Sequence, residues 1–200
     1  MKTNPSTEGP LKDGIRALEA TIREDPDPRM RRYSCFLLGT LAGPDAVRGL
    51  ISALHDPEKD VRGQAASALG EVGIAALPDL VPLLRDPEWR VRYRAAEAIG
   101  AIHSDQAYQA LVGTLADERD HVRYMAAKGL GRIGDRKAVD FLAPLLNDEN
   151  PFVRKSAATA LGLIGGMAAR NALRNALNGE VSDALKPSIE EALKKTKSSE

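Results

Sequence analysis

The 200-residue chain is predicted to be all-α, a right-handed α-solenoid of five helix pairs with a half-repeat at each end. Two observations predict it. First, an Asp, an apolar-Arg pair, an Ala-Ala-like step and a Leu/Ile-Gly-like ending recur at a nearly fixed interval, which is the mark of a stacked repeat array. The Asp falls at Asp25, Asp56, Asp86, Asp117 and Asp148, so the interval is constant except from Asp56 to Asp86, where it is shorter by one position. The apolar-Arg pair falls at Met30-Arg31, Val61-Arg62, Val91-Arg92, Val122-Arg123 and Val153-Arg154. The Gly falls at Gly39, Gly70, Gly100, Gly131 and Gly162. Second, each repeat holds two blocks of helical apolar spacing separated by a break.

Taken in order, residues 1–10 are polar, with two prolines and a glycine, and are expected to be a disordered lead. Residues 11–24 carry Leu11, Ile15, Leu18 and Ile22 at helical spacing and read as a lone second helix that caps the array. Five repeats follow, at 25–55, 56–85, 86–116, 117–147 and 148–178. In each, helix A begins after the Asp and helix B follows a Gly-containing break. In the fourth repeat Asp135 is placed to cap helix B. Helix B keeps a Leu at Leu50, Leu80, Leu111, Leu142 and Leu173, and another one turn on at Leu54, Leu84, Leu115, Leu146 and Leu177. Pro82 and Pro144 are expected to kink it, since the ring removes one helical hydrogen bond. After Asn178 the period decays. Residues 181–195 read as a closing helix A with Leu185, Ile189, Ala192 and Leu193 inside, and 196–200 as a fraying end.

The composition sets bounds. Twenty-eight basic and 28 acidic residues leave no net charge, which argues against a general polyanion-binding surface. One cysteine, Cys35, excludes an intramolecular disulfide framework and fits a reducing compartment. The polar start lacks a secretory signal and no apolar window is expected to span a membrane, so a cytoplasmic protein is expected.

On a helical wheel with the recurring Val of helix A at zero, positions zero, plus four, plus eight and plus eleven share one arc of about 80°. That arc is the core face. The Arg at plus one and the small residue at plus five lie beside it. Positions minus two, minus one, plus two, plus three, plus six and plus ten vary between repeats, and stacking leaves them free for binding. They hold Tyr33, Phe36, Trp89, Tyr93, Tyr124 and Phe152, six of the chain's eight aromatics; the others are Tyr108 and Phe141. They also hold Arg29, Arg32, Lys59, Arg90, Arg94, Lys128, Arg132 and Lys155 against Asp60, Glu71, Glu97 and Asp120, a surplus of four positive charges. Aromatic and Arg side chains are the usual carriers of interface energy. The alternative is that the rings cover joints between repeats. The Asp and the Arg of the following Val-Arg pair read as structural. The Asp ties the start of helix A, and the Arg bridges to the Asp of the next repeat, a ladder through Asp56, Arg62, Asp86, Arg92, Asp117, Arg123, Asp148 and Arg154.

The string Asp-Pro-x-x-x-Val-Arg-x-x-Ala-Ala-x-Ala-Leu-Gly, seen from Asp56 to Gly70 and continuing to Gly73, resembles the HEAT-like repeat of the phycobilisome lyase type. The resemblance runs from Asp25 to about Asn178. It implies that helix A lines a concave groove and helix B the convex side, and that an Asp–Arg ladder joins the layers. Fold alone does not assign function, because such arrays serve as scaffolds, adaptors, lyase subunits and, rarely, enzymes. The His-Glu pairs that carry iron in HEAT-type hydroxylases are absent, since none of His55, His103 and His121 precedes a Glu. No metal, cofactor or catalytic residue is expected. Cys35 reads as a buried small residue. The Gly-x-x-Gly strings end helices and do not follow strands, so they are not phosphate loops.

The expected function is a non-catalytic scaffold. Its partner would be a protein or peptide with acidic and apolar side chains, held by Trp89, Tyr93, Arg94 and Tyr124, with Tyr33, Phe36, Arg90, Arg132 and Phe152 flanking. Two alternatives remain open. Asp86-x-x-Trp89-x-Val91-Arg92-Tyr93 resembles segments of E/F-type phycobilin lyases, which implies a tetrapyrrole on rings and arginines. Nucleic-acid binding is disfavoured by the modest charge and the lone Trp.

Overall fold

A computed structural model describes residues 5–41, 43–179 and 184–196. Helices alternate between two layers. The A layer is α2 (Pro28–Leu41), α4 (Lys59–Val72), α6 (Trp89–Ile99), α8 (Asp120–Ile133), α10 (Pro151–Ile164) and α12 (Lys186–Thr196). Each packs on the next in that order. The B side is α1 (Pro5–Glu24), α3 (Pro44–Ala53), the segment 73–85 around α5 (Leu77–Leu80), α7 (Asp105–Thr114), the segment 136–147 around α9 (Val139–Leu142), and α11 (Gly166–Asn178). The protein is an α-solenoid.

Each repeat starts with the same hydrogen-bonded turn. Asp25, Asp56, Asp86, Asp117 and Asp148 each accept, through Oδ1, the backbone N–H two positions on, at 2.8 to 2.9 Å. The recurring Arg then closes the turn from behind. Its Nη1 donates to the carbonyl of its own repeat's Asp, at 2.8, 2.6, 2.8, 2.9 and 2.8 Å for Arg31, Arg62, Arg92, Arg123 and Arg154. All five repeats have this staple.

The rung to the next repeat is less regular. Arg31, Arg92 and Arg123 each offer Nε and Nη2 to both oxygens of the next repeat's Asp, namely Asp56, Asp117 and Asp148, at 2.7 to 3.0 Å. Arg92 also reaches Glu118 and Arg123 reaches Glu149. Burial pushes the Asp148 carboxyl up, but the Arg123 fork and the Asn150 N–H hold it below the usual carboxylate range. A folded-state value below the unfolded one makes this stabilisation present at neutral pH and lost as the pH falls. The expected Arg62–Asp86 rung does not form. Asp86 falls one position short of the Arg-to-Asp step that the intact rungs use, and it meets His55 Nε2 at 3.1 Å. Arg154 has Gly179 at the equivalent step and donates only to the Asp148 and Glu149 carbonyls among the described residues.

The recurring Gly of helix A is explained by the A layer's closeness. A Cβ on Gly131 would lie 2.7 Å from Ala160 Cα; on Gly162, 2.8 Å from Ala192 Cα; on Gly100, 2.7 Å from Gly129 Cα. Gly39 and Gly70 meet the Cβ of Ala68 and Ala101 at 2.8 Å. The core follows the wheel: Val61, Val91, Val122 and Val153 are fully buried, as are Leu50, Leu80, Leu111, Leu142 and Leu173 of helix B.

Several expectations are corrected. The first helix starts at Pro5, so residues 5–10 are helical and not a disordered lead; 1–4 lie outside the described residues. The closing helix starts at Lys186, with 181–183 and 197–200 outside the described residues. Thr196 is buried and helical rather than frayed, and Arg170 donates to its carbonyl. Met30 and Leu41, core positions on the wheel, are 48% and 40% exposed because α2 is the first helix of its layer. Pro82 and Pro144 do more than kink. Residues 81–85 and 143–147, which hold Pro82 and Pro144, are 3-10 turns, since a proline that cannot make the i−4 bond favours the tighter winding; 73–76 and 136–138 are 3-10 turns as well. Lys59–Arg85 has the length and composition of a membrane span, 27 residues with a mean hydropathy of 1.4 in its most apolar window, contrary to expectation. It is the helix pair of the second repeat. Gly73 interrupts it at φ 78°, and Val61, Ala65, Leu69, Leu77 and Leu80 are buried in the array.

Arg92→Ala removes a staple and a buried rung and is expected to cost about 3–5 kcal/mol, whereas Arg154→Ala, with a staple only, costs less. Thermal melts of the two variants check this; equal losses would contradict the rung. Gly131→Ala drives a methyl into backbone and is expected to cost about 1–3 kcal/mol; an unchanged denaturation midpoint would contradict the close approach.

Candidate functional site

The A layer brings one aromatic cluster together across α6, α8 and α10. Trp89 and Tyr93 are one turn apart on α6, so they share a face. His121 and Tyr124 hold the corresponding stretch of α8, and Phe152 that of α10. The Trp89 and His121 rings are 5.1 Å apart at 45°. The Arg90 guanidinium stands 4.9 Å over Trp89, and Arg94 5.3 Å over Tyr93, both within cation–π reach.

Two hollows result, and they share Tyr93 and His121. One, of 160 Å³, is lined by Arg62, Trp89, Arg90, Tyr93, Arg94 and His121. The other, of 300 Å³, is lined by Tyr93, Asp120, His121, Tyr124, Asn150 and Phe152. The first is basic and the second mostly aromatic, with one carboxylate at its edge. That carboxylate is already engaged. His121 Nδ1 lies 2.7 Å from Asp120 Oδ1, and Asn150 Nδ2 donates to Asp120 Oδ2. The hydrogen bond from His121 holds the Asp120 carboxyl below its usual range. Burial raises the Tyr93 phenol, so it stays a neutral donor at neutral pH.

Of the sequence-predicted binding residues, Trp89, Arg90, Tyr93, Arg94, Tyr124 and Phe152 line these hollows. Tyr33 and Phe36 stack on each other at 6.2 Å, exposed on α2, and line neither. Arg132 is exposed near the end of α8 and also lines neither. Arg94 is not a free cation. Its Nη1 donates to Glu97 at 2.5 Å and its Nη2 to the Lys59 carbonyl at 3.3 Å, so it ties α6 to the start of α4. In the third, fourth and fifth repeats the plus-three position is a joint rather than a free site. Met125 is buried there, and buried Ser156 donates to the Tyr124 carbonyl of the preceding repeat at 3.0 Å. Tyr33, at plus three in the first repeat, is exposed, and among the described residues no A helix precedes α2.

Four lining residues, Arg62, Asp120, His121 and Asn150, lie outside the predicted binding set. By sequence Arg62 belongs to the ladder; the signal that could have found it is the shortened interval from Asp56 to Asp86. Clefts of 630 to 690 Å³ also run between successive B-side segments, lined by residues such as Val81, Pro82, Gln109 and Ala110, or Asn171 and Asn175. They contain no aromatic side chain.

Cys35 is fully buried, and burial pushes its thiol up to about 12. It is a packing residue that stays protonated. Among the described residues no group of three or more His, Cys, Asp or Glu could hold a metal ion.

The array and its aromatic cavities can be set beside known proteins. The chain matches HEAT repeats over residues 15–76, 48–124 and 114–194, and it belongs to that family. No curated protein matches it. Among solved structures, the complex of CpcE and CpcF of phycocyanin lyase from Nostoc sp. PCC7120 is similar at 22% identity, with a TM-score of 0.66, 74% of this chain and 97% of that one. The Escherichia coli protein YibA is 23% identical over 98% of this chain and 71% of its own, with a TM-score of 0.59. A designed armadillo repeat protein in complex with the peptide (KR)4 is 20% identical over 93% and 99%, with a TM-score of 0.56. Likenesses at this identity carry the fold alone.

The thiol of Cys35 is expected to react with a thiol reagent at pH 8 only when the protein is unfolded in denaturant. Fast reaction of the native protein, followed by absorbance, would contradict its burial.

Proposed function

We propose that this protein is a non-catalytic interaction module that binds a partner segment along the A layer. The supporting observation is the pair of adjoining hollows that share Tyr93 and His121, one basic, one aromatic. Rings and guanidinium groups that stacking does not consume supply contact area at low entropic cost. The peptide class follows from the charge. The designed armadillo neighbour is in complex with a basic peptide. Here Arg62, Arg90 and Arg94 line the first hollow, so the complementary segment carries an acidic side chain followed by an apolar one. Trp89, Tyr93 and Tyr124 are the central anchors and Phe152 flanks them. Tyr33, Phe36 and Arg132 extend the surface without belonging to its centre.

A random-peptide display selection against the immobilised protein tests this reading. Peptides combining Asp or Glu with an aromatic or aliphatic residue should be enriched. The Trp89→Ala/Tyr93→Ala variant should lose about 2 kcal/mol or more of their affinity. Undiminished binding by that variant would remove the cluster from the account. Uptake of phycocyanobilin with a change in visible absorption, and no peptide selected, would favour the chromophore-chaperone reading instead.

A further inference from the structure

The ladder breaks at Arg62, beside the aromatic cluster. Three of the recurring arginines use one edge, Nε and Nη2, to grip a carboxylate of the following repeat with both oxygens. Arg62 has the same staple behind it. Its Nη1 donates to the Asp56 and Pro57 carbonyls at 2.6 and 2.7 Å, so the guanidinium is fixed as in the intact rungs. Its gripping edge holds no carboxylate. The second repeat is one residue shorter, Pro87 stands at the step where the intact rungs place Asp, and Asp86 is turned to His55 and to the Glu88 N–H. The loss belongs to the missing residue and not to the proline-broken helix B. The fourth repeat has Pro144 in the same place, keeps the full length and keeps its rung from Arg123 to Asp148.

The consequence is a buried cationic group short of one acceptor. Arg62 is 9% exposed, and among the described residues its Nε is the one buried side-chain nitrogen or oxygen without a hydrogen-bond partner. Buried donors on charged groups are rarely left unmet in a native fold. Arg62 is also the most buried residue lining the 160 Å³ hollow beside Trp89. The other cations there are partly answered: Arg94 by Glu97 at 2.5 Å, and Arg90 by exposed Glu88 at 3.7 Å. No carboxylate lines this hollow.

We propose that the hollow is a carboxylate-binding subsite, in which an Asp or Glu side chain of a partner peptide takes the place of the missing rung on Arg62. The inference rests on the interaction-module reading above and deepens it. The ligand is a carboxylate because the intact rungs show what this fixed fork accepts, a planar two-oxygen anion. Tyr93 and His121 form the shared wall to the aromatic hollow, so the next side chain of the peptide falls against Tyr124 and Phe152.

The test uses the whole protein labelled with nitrogen-15 and N-acetylglutamic acid α-amide as probe. Arginine Nε–H resonances and the fluorescence of Trp89, the sole Trp, are followed during titration, with sodium chloride at equal ionic strength as control and inorganic phosphate as competitor. The expected result is a saturable shift of one Nε–H, that of Arg62, with a parallel change at Trp89. Arg92 and Arg123 in the same spectra should not move. Arg62→Gln should weaken the probe at least about tenfold. Arg62→Lys keeps the charge and the apolar stem but not the fork, and should fold and show the same loss. A response as unsaturable as that to chloride, undiminished binding in both variants, or saturation by phosphate alone would overturn the proposal. If selected peptides depend on Trp89 and Tyr93 but not on Arg62, this inference fails while the interaction module stands.

Discussion

The fold depends on a single side chain used twice. In every repeat the Arg of the first turn of helix A stitches the opening Asp to it, and in three repeats the same guanidinium reaches forward to the next opening Asp. A buried ion pair contributes little over a well-packed apolar pair, but losing one partner is costly. Its value here is geometric. A two-oxygen grip by a fixed fork defines the distance and rotation from one repeat to the next, which an alanine-rich interface could not define alone. The glycines on the next turns of the A layer then let the helices close to backbone contact.

Stacking in one dimension has ends, and the ends account for the irregularities. A helix in mid-array is covered by a predecessor and a successor. Among the described residues α2 has no predecessor in the A layer, and Met30, Tyr33 and Leu41 are open there although their equivalents farther along are covered or engaged. Terminal repeats of solenoids commonly differ from the interior in this way. The exposed pair Tyr33 and Phe36 therefore reflects its position in the array, whereas the Trp89–Tyr93–Tyr124–Phe152 cluster lies where three interior A helices meet.

Much of this is legible from the period alone. The two layers, the buried Val, Ala and Leu faces and the three intact rungs follow from spacing, because each repeat solves the same packing problem. Three things do not follow. A wheel drawn for one helix cannot show that plus three meets the preceding repeat, so on the wheel Arg94 and Met125 look free. Propensity gives no sign that the proline-bearing B helices wind as 3-10 turns rather than kink. The broken rung is visible as one short interval among equal ones, but its meaning requires knowing which edge of the arginine holds the carboxylate. Residues 5–10 mislead for another reason: their prolines and glycine outweigh a helix that continues into Leu11.

The missing carboxylate follows from one register, and it falls beside the basic hollow and the aromatic cluster. Where the ladder is complete, arginine and aspartate consume each other; where one residue is absent, the arginine is left facing a hollow walled by the chain's only tryptophan. A pair of double-mutant cycles, in denaturant, tests that register most directly. Arg123→Ala with Asp148→Ala should show a coupling free energy within about 0.5–3 kcal/mol, and Arg62→Ala with Asp86→Ala should be additive within about 0.5 kcal/mol. Coupling of equal size in both cycles would mean that the second rung exists, and the account would fail.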